Sequence, residues 1–168
     1  MNLFGVFVGG LVAAVRVLCI VLATALFVIV VAAVVARYGF GQAVSWTEEV
    51  PRYLLIWISF LAGAVGVLRH EHVSFDVLFY KLPRSVRRPL ALALTAMIGG
   101  FGWVMFWYGL TFVQDFGSDL METIPYTNYW YYVAMPISGF LIMVFALRLL
   151  ADEFAGRDVA APGGGSID

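Results

Sequence analysis

The chain of 168 residues is 62% hydrophobic and 12% charged, whereas an ordinary soluble domain is about 45–50% apolar and about 25% charged. This composition excludes a soluble globular protein and favours an integral membrane protein. The net charge of -1 excludes nothing by itself, but every acidic and basic side chain lies outside four long apolar stretches, which are residues 17–36, 53–68, 89–114 and 123–147.

The first apolar stretch predicts a transmembrane helix over about residues 16–37. A helix rises about 1.5 Å per residue, so this stretch covers the hydrocarbon core, which is roughly 30 Å thick. A cleaved signal peptide is the alternative, but its apolar run is usually about 7–15 residues long and follows basic residues, and no basic residue precedes Arg16. Residues 2–15 are also apolar, and they either lengthen this helix or lie along the inner membrane surface.

A charged segment opens the second predicted span, which covers about residues 47–69. Thr47 is a candidate N-cap, and Glu48 and Glu49 follow it in the first turn, where the helix dipole favours negative charge. Glu48 and Arg52 are four residues apart in the order that favours an ion pair on a helix surface. Two interpretations remain open at this point, an ordinary charged helix entrance or a group that faces a partner protein at the membrane boundary.

The link after the second span combines histidines, acids and an apolar period. Phe75, Leu78, Phe79 and Leu82 have the spacing of one helix face, which predicts a short amphipathic helix on the inner membrane surface. The alternative is a metal site built from His70, Glu71, His72 and Asp76. That site is less well supported, because a structural zinc site normally needs four ligands on a defined scaffold.

The third and fourth spans are predicted at about residues 88–114 and 124–148, which completes a single four-helix domain over residues 1–155. Small residues recur four apart and favour close helix packing; the pairs are Ser59 with Gly63, Ala62 with Gly66, Thr95 with Gly99, and Ala96 with Gly100. Pro136 should bend the last helix and free a carbonyl. Residues 156–168 lack an apolar period and are predicted to be a disordered cytoplasmic tail.

The distribution of charge predicts the orientation. Five basic residues crowd the link between the second and third spans, whereas the link over residues 115–122 has three acids and no base. Cytoplasmic loops carry the excess of Lys and Arg, so the basic link should be inside and the acidic link outside. With four spans, both termini then lie in the cytoplasm.

Enzyme activity is disfavoured by the absence of suitable residue patterns. A membrane haem commonly needs His ligands inside the spans, and both His residues lie in a link. The sequence contains no recognisable nucleophile with a base beside it, no phosphate-binding glycine loop and no redox pair of cysteines. An ion or substrate path would need ionisable groups within the spans, so we expect a chain that does not carry a substrate alone and is not an enzyme.

At these residues the chain resembles the small membrane subunit, of the DctQ type, of tripartite ATP-independent periplasmic (TRAP) transporters. The resemblance covers roughly residues 14–153, with matching length and four-span hydropathy. The residues that carry it are Trp46, Glu48, Glu49, Arg52, Tyr53, Trp57, Gly63, Arg69, His72, Asp76, Leu82, Pro83, Pro125, Trp130 and Pro136. One departure is Ala62, which stands before Gly63 where members of the family more often place the glycine directly after the Phe-Leu pair.

The resemblance implies an accessory subunit in a bacterial inner membrane. In this family a large membrane subunit holds the sodium and substrate sites and moves organic acids, such as dicarboxylates or sialic acid, by an elevator-like motion. A soluble periplasmic binding protein supplies the substrate, and the small subunit braces the large one in the lipid bilayer. The resemblance therefore implies no cofactor in this chain, sodium only in the large partner, and no nucleic acid.

The resemblance also assigns roles to particular residues. The residues implied to fix the fold and the partner interface are Glu48, Glu49, Arg52, Arg69, His72 and Asp76, with Ser59 and Gly63 as positions of close approach. Two alternatives predict other features. A small homodimeric carrier predicts an acid near the middle of a span, and a membrane anchor of a redox complex predicts haem ligands or polar groups of a quinone site within the spans. The sequence does not name the substrate.

Overall fold

The chain is helical in the computed structural model, which describes residues 3–42, 45–68 and 84–154. The helices are α1 (Leu3–Gly39), α2 (Trp46–Leu68), α3 (Arg84–Phe116), α4 (Tyr129–Tyr132) and α5 (Ala134–Phe154). Within the described residues, four segments are long and apolar enough to cross a membrane, and the last of them combines α4 and α5. The predicted all-α membrane fold is therefore confirmed, whereas the predicted interfacial helix and the tail lie outside the described residues.

The first helix settles the question of the N-terminal residues. It runs without a break over 37 residues, so residues 3–15 lengthen it. At about 1.5 Å per residue its length is roughly 55 Å, so it must tilt or extend past a hydrocarbon core of about 30 Å. Gly41 follows the end of the helix with a positive φ of 68°, and the Gln42 N–H donates to the Ala36 carbonyl at 3.1 Å, which provides a donor for a carbonyl of the last turn.

The second helix starts slightly earlier than predicted. It begins at Trp46, so Thr47 lies inside its first turn and is not the N-cap. The residue before the helix is Ser45, whose carbonyl accepts a hydrogen bond from the Glu48 N–H at 3.2 Å. The prediction of Thr47 as the cap was wrong because the turn that leads into the helix already has helical hydrogen bonding at Ser45.

Helices α3 and α5 have the most extensive mutual packing of any pair among the described helices. A Cβ added to Gly139 would lie 2.6 Å from the backbone nitrogen of Phe106 and 2.9 Å from the carbonyl oxygen of Gly102. A Cβ added to Gly109 would lie 3.0 Å from Pro136, and one added to Gly99 would lie 3.3 Å from the Ala146 Cβ. Glycine is therefore required at position 139 and leaves little spare room at positions 99 and 109, which is the close approach that small residues permit in membranes.

The predicted small-residue pairs contribute unequally to this packing. Gly99 lies at the α3–α5 contact, whereas no atom lies within 4 Å of a Cβ added to Gly63 or Gly100. Ser59 and Gly63 are exposed on α2. They do not join helices of this chain to one another, so their predicted role as positions of close approach applies only to a partner and stays a prediction.

The fourth membrane segment departs from its predicted start. Its helix begins at Tyr129, because residues 124–128 belong to the loop that follows α3. The helix is interrupted at Val133, between α4 and α5. Pro136 lies in the first turn of α5 and has no N–H to offer the Tyr132 carbonyl, which explains why the helix is interrupted just before it.

The buried core forms where α1, α2, α3 and α5 meet. It contains Val8, Val12, Val15, Leu61, Ala64, Val67, Met105, Leu141, Ile142, Phe145 and Leu149. From Val17 to the end of α1 no described side chain is buried. This part of α1 presents a surface of Val, Ile and Phe, as expected for a helix surrounded by lipid or by another membrane protein.

The two ends of the bundle differ in their polar contacts. At one end the last turn of α1, the first turn of α2 and the loop after α3 come together, and we call this the Glu49 end. At the other end the Arg148 guanidinium donates to the Gly5 carbonyl at 2.8 Å and pairs with Asp152 at 3.3 Å. Most of the residues predicted to matter, and described by the structure, lie at the Glu49 end.

Candidate functional site at the Glu49 end

The loop over residues 117–128 folds into a small hairpin. The Met121 N–H donates to the Tyr126 carbonyl at 2.8 Å, and the Asn128 N–H donates to the Asp119 carbonyl at 2.8 Å. At the tip, the Tyr126 N–H donates to the Ile124 carbonyl at 2.8 Å, which makes a three-residue γ-turn centred on Pro125. The fixed φ of proline suits this turn, so Pro125 has a structural role at the hairpin tip.

Glu49 is the buried acid at this end, with only 4% of its surface exposed. Its carboxylate accepts backbone hydrogen bonds from the N–H groups of Glu122 at 3.0 Å and Thr123 at 2.8 Å. It also accepts hydrogen bonds from the hydroxyl groups of Thr123 and Tyr53. One side chain of α2 therefore holds the hairpin by three hydrogen bonds, and the fourth comes from Tyr53 on the same helix.

The Glu49 contacts satisfy the requirement that a buried charge be hydrogen-bonded or paired. All four partners are donors, so the side chain acts only as an acceptor, as an ionised carboxylate does. Its position in the first turn of α2 adds the favourable field of the helix N-terminus. Because the donors all come from the same chain, the arrangement is suited to fixing the fold and leaves the carboxylate little room to bind an ion or substrate.

Aromatic contacts join α2 to α4 beside this carboxylate. The ring of Tyr53 stacks on that of Tyr131, with centroids 4.7 Å apart and planes within 14°. One turn further along α2, the Trp57 Nε1–H donates to the Trp130 carbonyl at 3.0 Å. Trp130 precedes the interruption at Val133 by three residues. Aromatic stacking and the hydrogen bond thus fix the short helix α4 against α2.

The neighbouring acid, Glu48, has a different partner from the one predicted. It forms an ion pair with Arg37 at the end of α1, and both side chains are more than half exposed. No ion pair joins Glu48 to Arg52 among the described residues. The prediction was wrong because the turn after α1 brings Arg37 back to the start of α2. An exposed pair of this kind contributes only about 0–1 kcal/mol.

The structure brings together part of the predicted residue set. Glu49, Tyr53 and Trp57 meet the loop or α4, and Pro125 shapes the loop, whereas Trp46, Arg52, Ser59 and Gly63 are exposed and Pro136 is buried in α5. Arg69, His72 and Asp76 lie outside the described residues, as do the histidines of the alternative metal site, so their roles stay predictions.

Sequence reasoning missed the residues that complete the site. These are Thr123, which supplies two donors, the Glu122 backbone N–H, and Tyr131, which stacks on Tyr53. One signal was available, because Glu49, Tyr53, Trp57 and Leu61 recur every four residues and so share a face of α2. That face is the one turned toward the rest of the bundle.

Comparison with known proteins agrees with this architecture. The family described as tripartite ATP-independent periplasmic transporters, DctQ component, matches residues 26–156. A Haemophilus influenzae protein whose name assigns it to the TRAP transporter small permeases is 43% identical over 70 residues, 42% of this chain and 44% of that relative. The ectoine TRAP transporter small permease protein TeaB of Halomonas elongata is 29% identical over 115 residues, 67% of this chain and 58% of that relative.

A third relative contains the matching region within a much longer protein. The sialic acid TRAP transporter permease protein SiaT of Haemophilus influenzae is 23% identical over 119 residues, which are 71% of this chain but only 19% of that relative. In each of these three relatives the matched region spans less than two thirds of the protein. The family match covers most of the four-helix bundle, including the Glu49 end, and the family is a transporter component and not an enzyme. The chain therefore belongs to the DctQ component family of the tripartite ATP-independent periplasmic transporters.

Proposed function

We propose that this chain is the small, non-catalytic membrane subunit of a sodium-coupled TRAP transporter that imports organic acids. In this proposal it braces a large elevator-type subunit in the bacterial inner membrane. The large subunit holds the sodium and substrate sites and receives substrate from a periplasmic binding protein. The chain itself binds neither ion nor substrate and needs no cofactor.

The observation that carries the proposal is the state of the buried acid at the Glu49 end. A carrier needs ionisable groups free to bind and release ions inside the membrane. Glu49 is the buried acid of α2, in the first turn of the helix, and its carboxylate is occupied by four donors of its own chain. This arrangement supports a bracing role over the homodimeric carrier.

The relatives support a larger partner and an organic substrate. In SiaT the matching region is 19% of the protein, so a fold of this kind is covalently joined there to a much larger permease. The relatives are named for sialic acid and for ectoine, which are organic solutes, and the first is an acid. We propose the same class of substrate for the transporter that contains this chain.

Purification of the tagged chain from its native membrane in mild detergent tests the proposal. We expect one membrane protein several times larger to be recovered in stoichiometric amount, because a bracing subunit must stay bound. Recovery of this chain only with itself would favour the homodimeric carrier. Recovery with a soluble redox enzyme would favour the membrane anchor, and either result would reject the proposed function.

The proposed topology places both termini in the cytoplasm. The basic residues Arg84, Arg87 and Arg88 belong to the start of α3, and Arg148 lies at the same end of the bundle as Gly5. The acids Asp115, Asp119 and Glu122 lie at the Glu49 end. Because basic residues stay inside, a green fluorescent protein fused after Glu153 should fluoresce and a periplasmic alkaline phosphatase fused there should be inactive. The reverse result at equal expression would contradict this topology.

A further inference from the structure

One face of α2 is exposed along most of the helix. It is formed by Arg52, Leu55, Ser59, Ala62 and Gly63, which are all exposed, and we call it the exposed face of α2. Successive helical residues are separated by about 100°, so these five side-chain positions lie within an arc of about 100°. The buried residues Glu49, Leu61 and Ala64 lie outside this arc, on the side that contacts α5 and the loop. Gly66 lies within the arc but is buried, so the exposed face ends at Gly63.

The composition of this face differs from that of the other exposed helix surfaces in the same molecule. On α1 and α3 most exposed positions are occupied by large apolar side chains, among them Val17, Ile20, Phe27, Val31, Met97, Phe101, Val104 and Tyr108, although α3 also exposes Ala93, Ala96 and Gly100. On the exposed face of α2 only Leu55 is large and apolar, and it is 54% exposed. Small side chains leave the backbone open, which favours a second helix over disordered acyl chains as the neighbour.

Space at the centre of the face supports the same conclusion. A Cβ added to Gly63 would meet no atom within 4 Å, so nothing in this chain requires glycine there. Ser59 adds a polar hydroxyl one turn away on the same face. Together these positions form a shallow surface on which another helix could approach closely and find a hydrogen-bonding partner.

The exposed face of α2 carries a positive charge at the Glu49 end. Arg52 is exposed, and no ion pair includes it among the described residues. The two acids that precede it are already engaged, Glu48 with Arg37 and Glu49 with the hairpin. A cation at the membrane boundary whose neighbouring acids are occupied fits a partner helix that brings a carboxylate to the same depth.

We infer that the exposed face of α2 is where a transmembrane helix of the large permease subunit packs, with small residues opposite Ala62 and Gly63 and an acid near Arg52. The inference rests on the proposed function, because it takes the occupant from that proposal. It specifies which surface of this chain binds the large subunit and what kind of helix packs on that surface. In this arrangement the exposed apolar surfaces of α1 and α3 contact the lipid bilayer.

Two matched glycine substitutions test the inference in the complete transporter. Gly63→Leu fills the proposed contact, whereas Gly100→Leu places the same side chain on exposed α3, where an added Cβ also meets no atom within 4 Å. Because overfilling a packed contact prevents close approach, we expect Gly63→Leu to reduce recovery of the large subunit at least about tenfold and Gly100→Leu to change it less than about twofold. Thermal unfolding of the purified subunit should be unchanged in both variants.

Equal recovery in the two variants would overturn the inference, whether both bind or both fail. Photo-crosslinking supplies a measurement that does not depend on losing affinity. With p-benzoylphenylalanine in place of Ala62, Phe27 or Phe101 in turn, only the Ala62 position should cross-link to the large subunit. Cross-links from the α1 or α3 position alone would overturn the inference while leaving the proposed function intact. Failure of the unmodified chain to recover a large subunit would reject both.

Discussion

Replacing Glu49 by Gln should lower the midpoint of thermal unfolding in detergent by about 5 °C. The substitution keeps the size of the side chain but turns one acceptor oxygen into an NH₂ donor. At either oxygen that group would face one backbone N–H and one hydroxyl, which are those of Glu122 and Tyr53 at Oε1 and those of Thr123 at Oε2. A donor placed against donors loses the hydrogen bonds and leaves partners unsatisfied. Intrinsic fluorescence during heating measures the change.

The neighbouring acid provides a matched control. Glu48→Gln makes the same change of charge in the same helical turn but affects only an exposed ion pair with Arg37, so the midpoint should move by less than about 1 °C. Equal shifts in the two variants would mean that charge at the helix N-terminus, and not the hairpin contact, is what matters. A thermodynamic cycle with Thr123→Val should show a non-additive effect with Glu49→Gln, because the two side chains share a contact.

In cells, the Glu49→Gln variant should lower the maximal rate of uptake and the amount of assembled transporter together. The substrate concentration at half-maximal rate should stay the same, because the Glu49 carboxylate is occupied by four donors of its own chain. A changed half-saturating concentration with a full amount of complex would contradict the bracing role and would place Glu49 near the substrate path.

Replacing Gly139 by Ala should have the largest effect on folding. The added Cβ would lie 2.6 Å from the Phe106 nitrogen and 2.9 Å from the Gly102 oxygen, and both are backbone atoms that no side-chain rotation can move. Helices α3 and α5 must then separate, which should destabilise the bundle by about 3 kcal/mol or more. We expect an unfolding midpoint lowered by about 6–12 °C, or no recoverable folded protein.

Gly100→Ala is the control for this substitution. It introduces the same methyl group into α3 at a position where no atom lies within 4 Å. Alanine favours a helix over glycine by about 1 kcal/mol, so the variant should be as stable as the unmodified chain or more stable. If Gly139→Ala unfolded at the same temperature as Gly100→Ala, the α3–α5 crossing would be looser than the structure shows.

The sequence predicted the membrane spans well because hydrocarbon imposes a single strong constraint. A run of about 20 apolar residues has one favourable conformation in a bilayer, so the helix containing Val17–Ala36 could be located from composition alone. The errors in the predicted helix boundaries occurred at the ends of the spans, where the chain leaves the hydrocarbon and this constraint no longer applies. Residues 124–128 carry no charge and lead into an apolar run, yet they belong to the hairpin, because the turn at Pro125 and the contact with Glu49 outweigh hydropathy there.

The candidate site was predicted only in part, for a similar reason. Adjacent acids are about 100° apart on a helix, so Glu48 and Glu49 must have different surroundings. Which of the two is buried depends on Thr123, which lies 74 residues further along the chain. No local sequence pattern predicts a contact between residues so far apart in the chain. The Glu48 pairing failed likewise, because Arg37 reaches it through the turn after α1.

The hydrogen bonds of Glu49 also determine the order in which the protein can be completed during synthesis. Helices α1 and α2 leave the ribosome well before Thr123, which follows Glu49 by 74 residues. At about 5–20 residues per second, this separation corresponds to roughly 4–15 s. For that interval the newly inserted helices α1 and α2 contain the Glu49 carboxylate, while its donors at Glu122 and Thr123 have not yet been synthesised. Water or lipid headgroups must therefore solvate it. The first half of the chain therefore cannot reach its final state alone, and a truncated product would display this acid at the membrane surface.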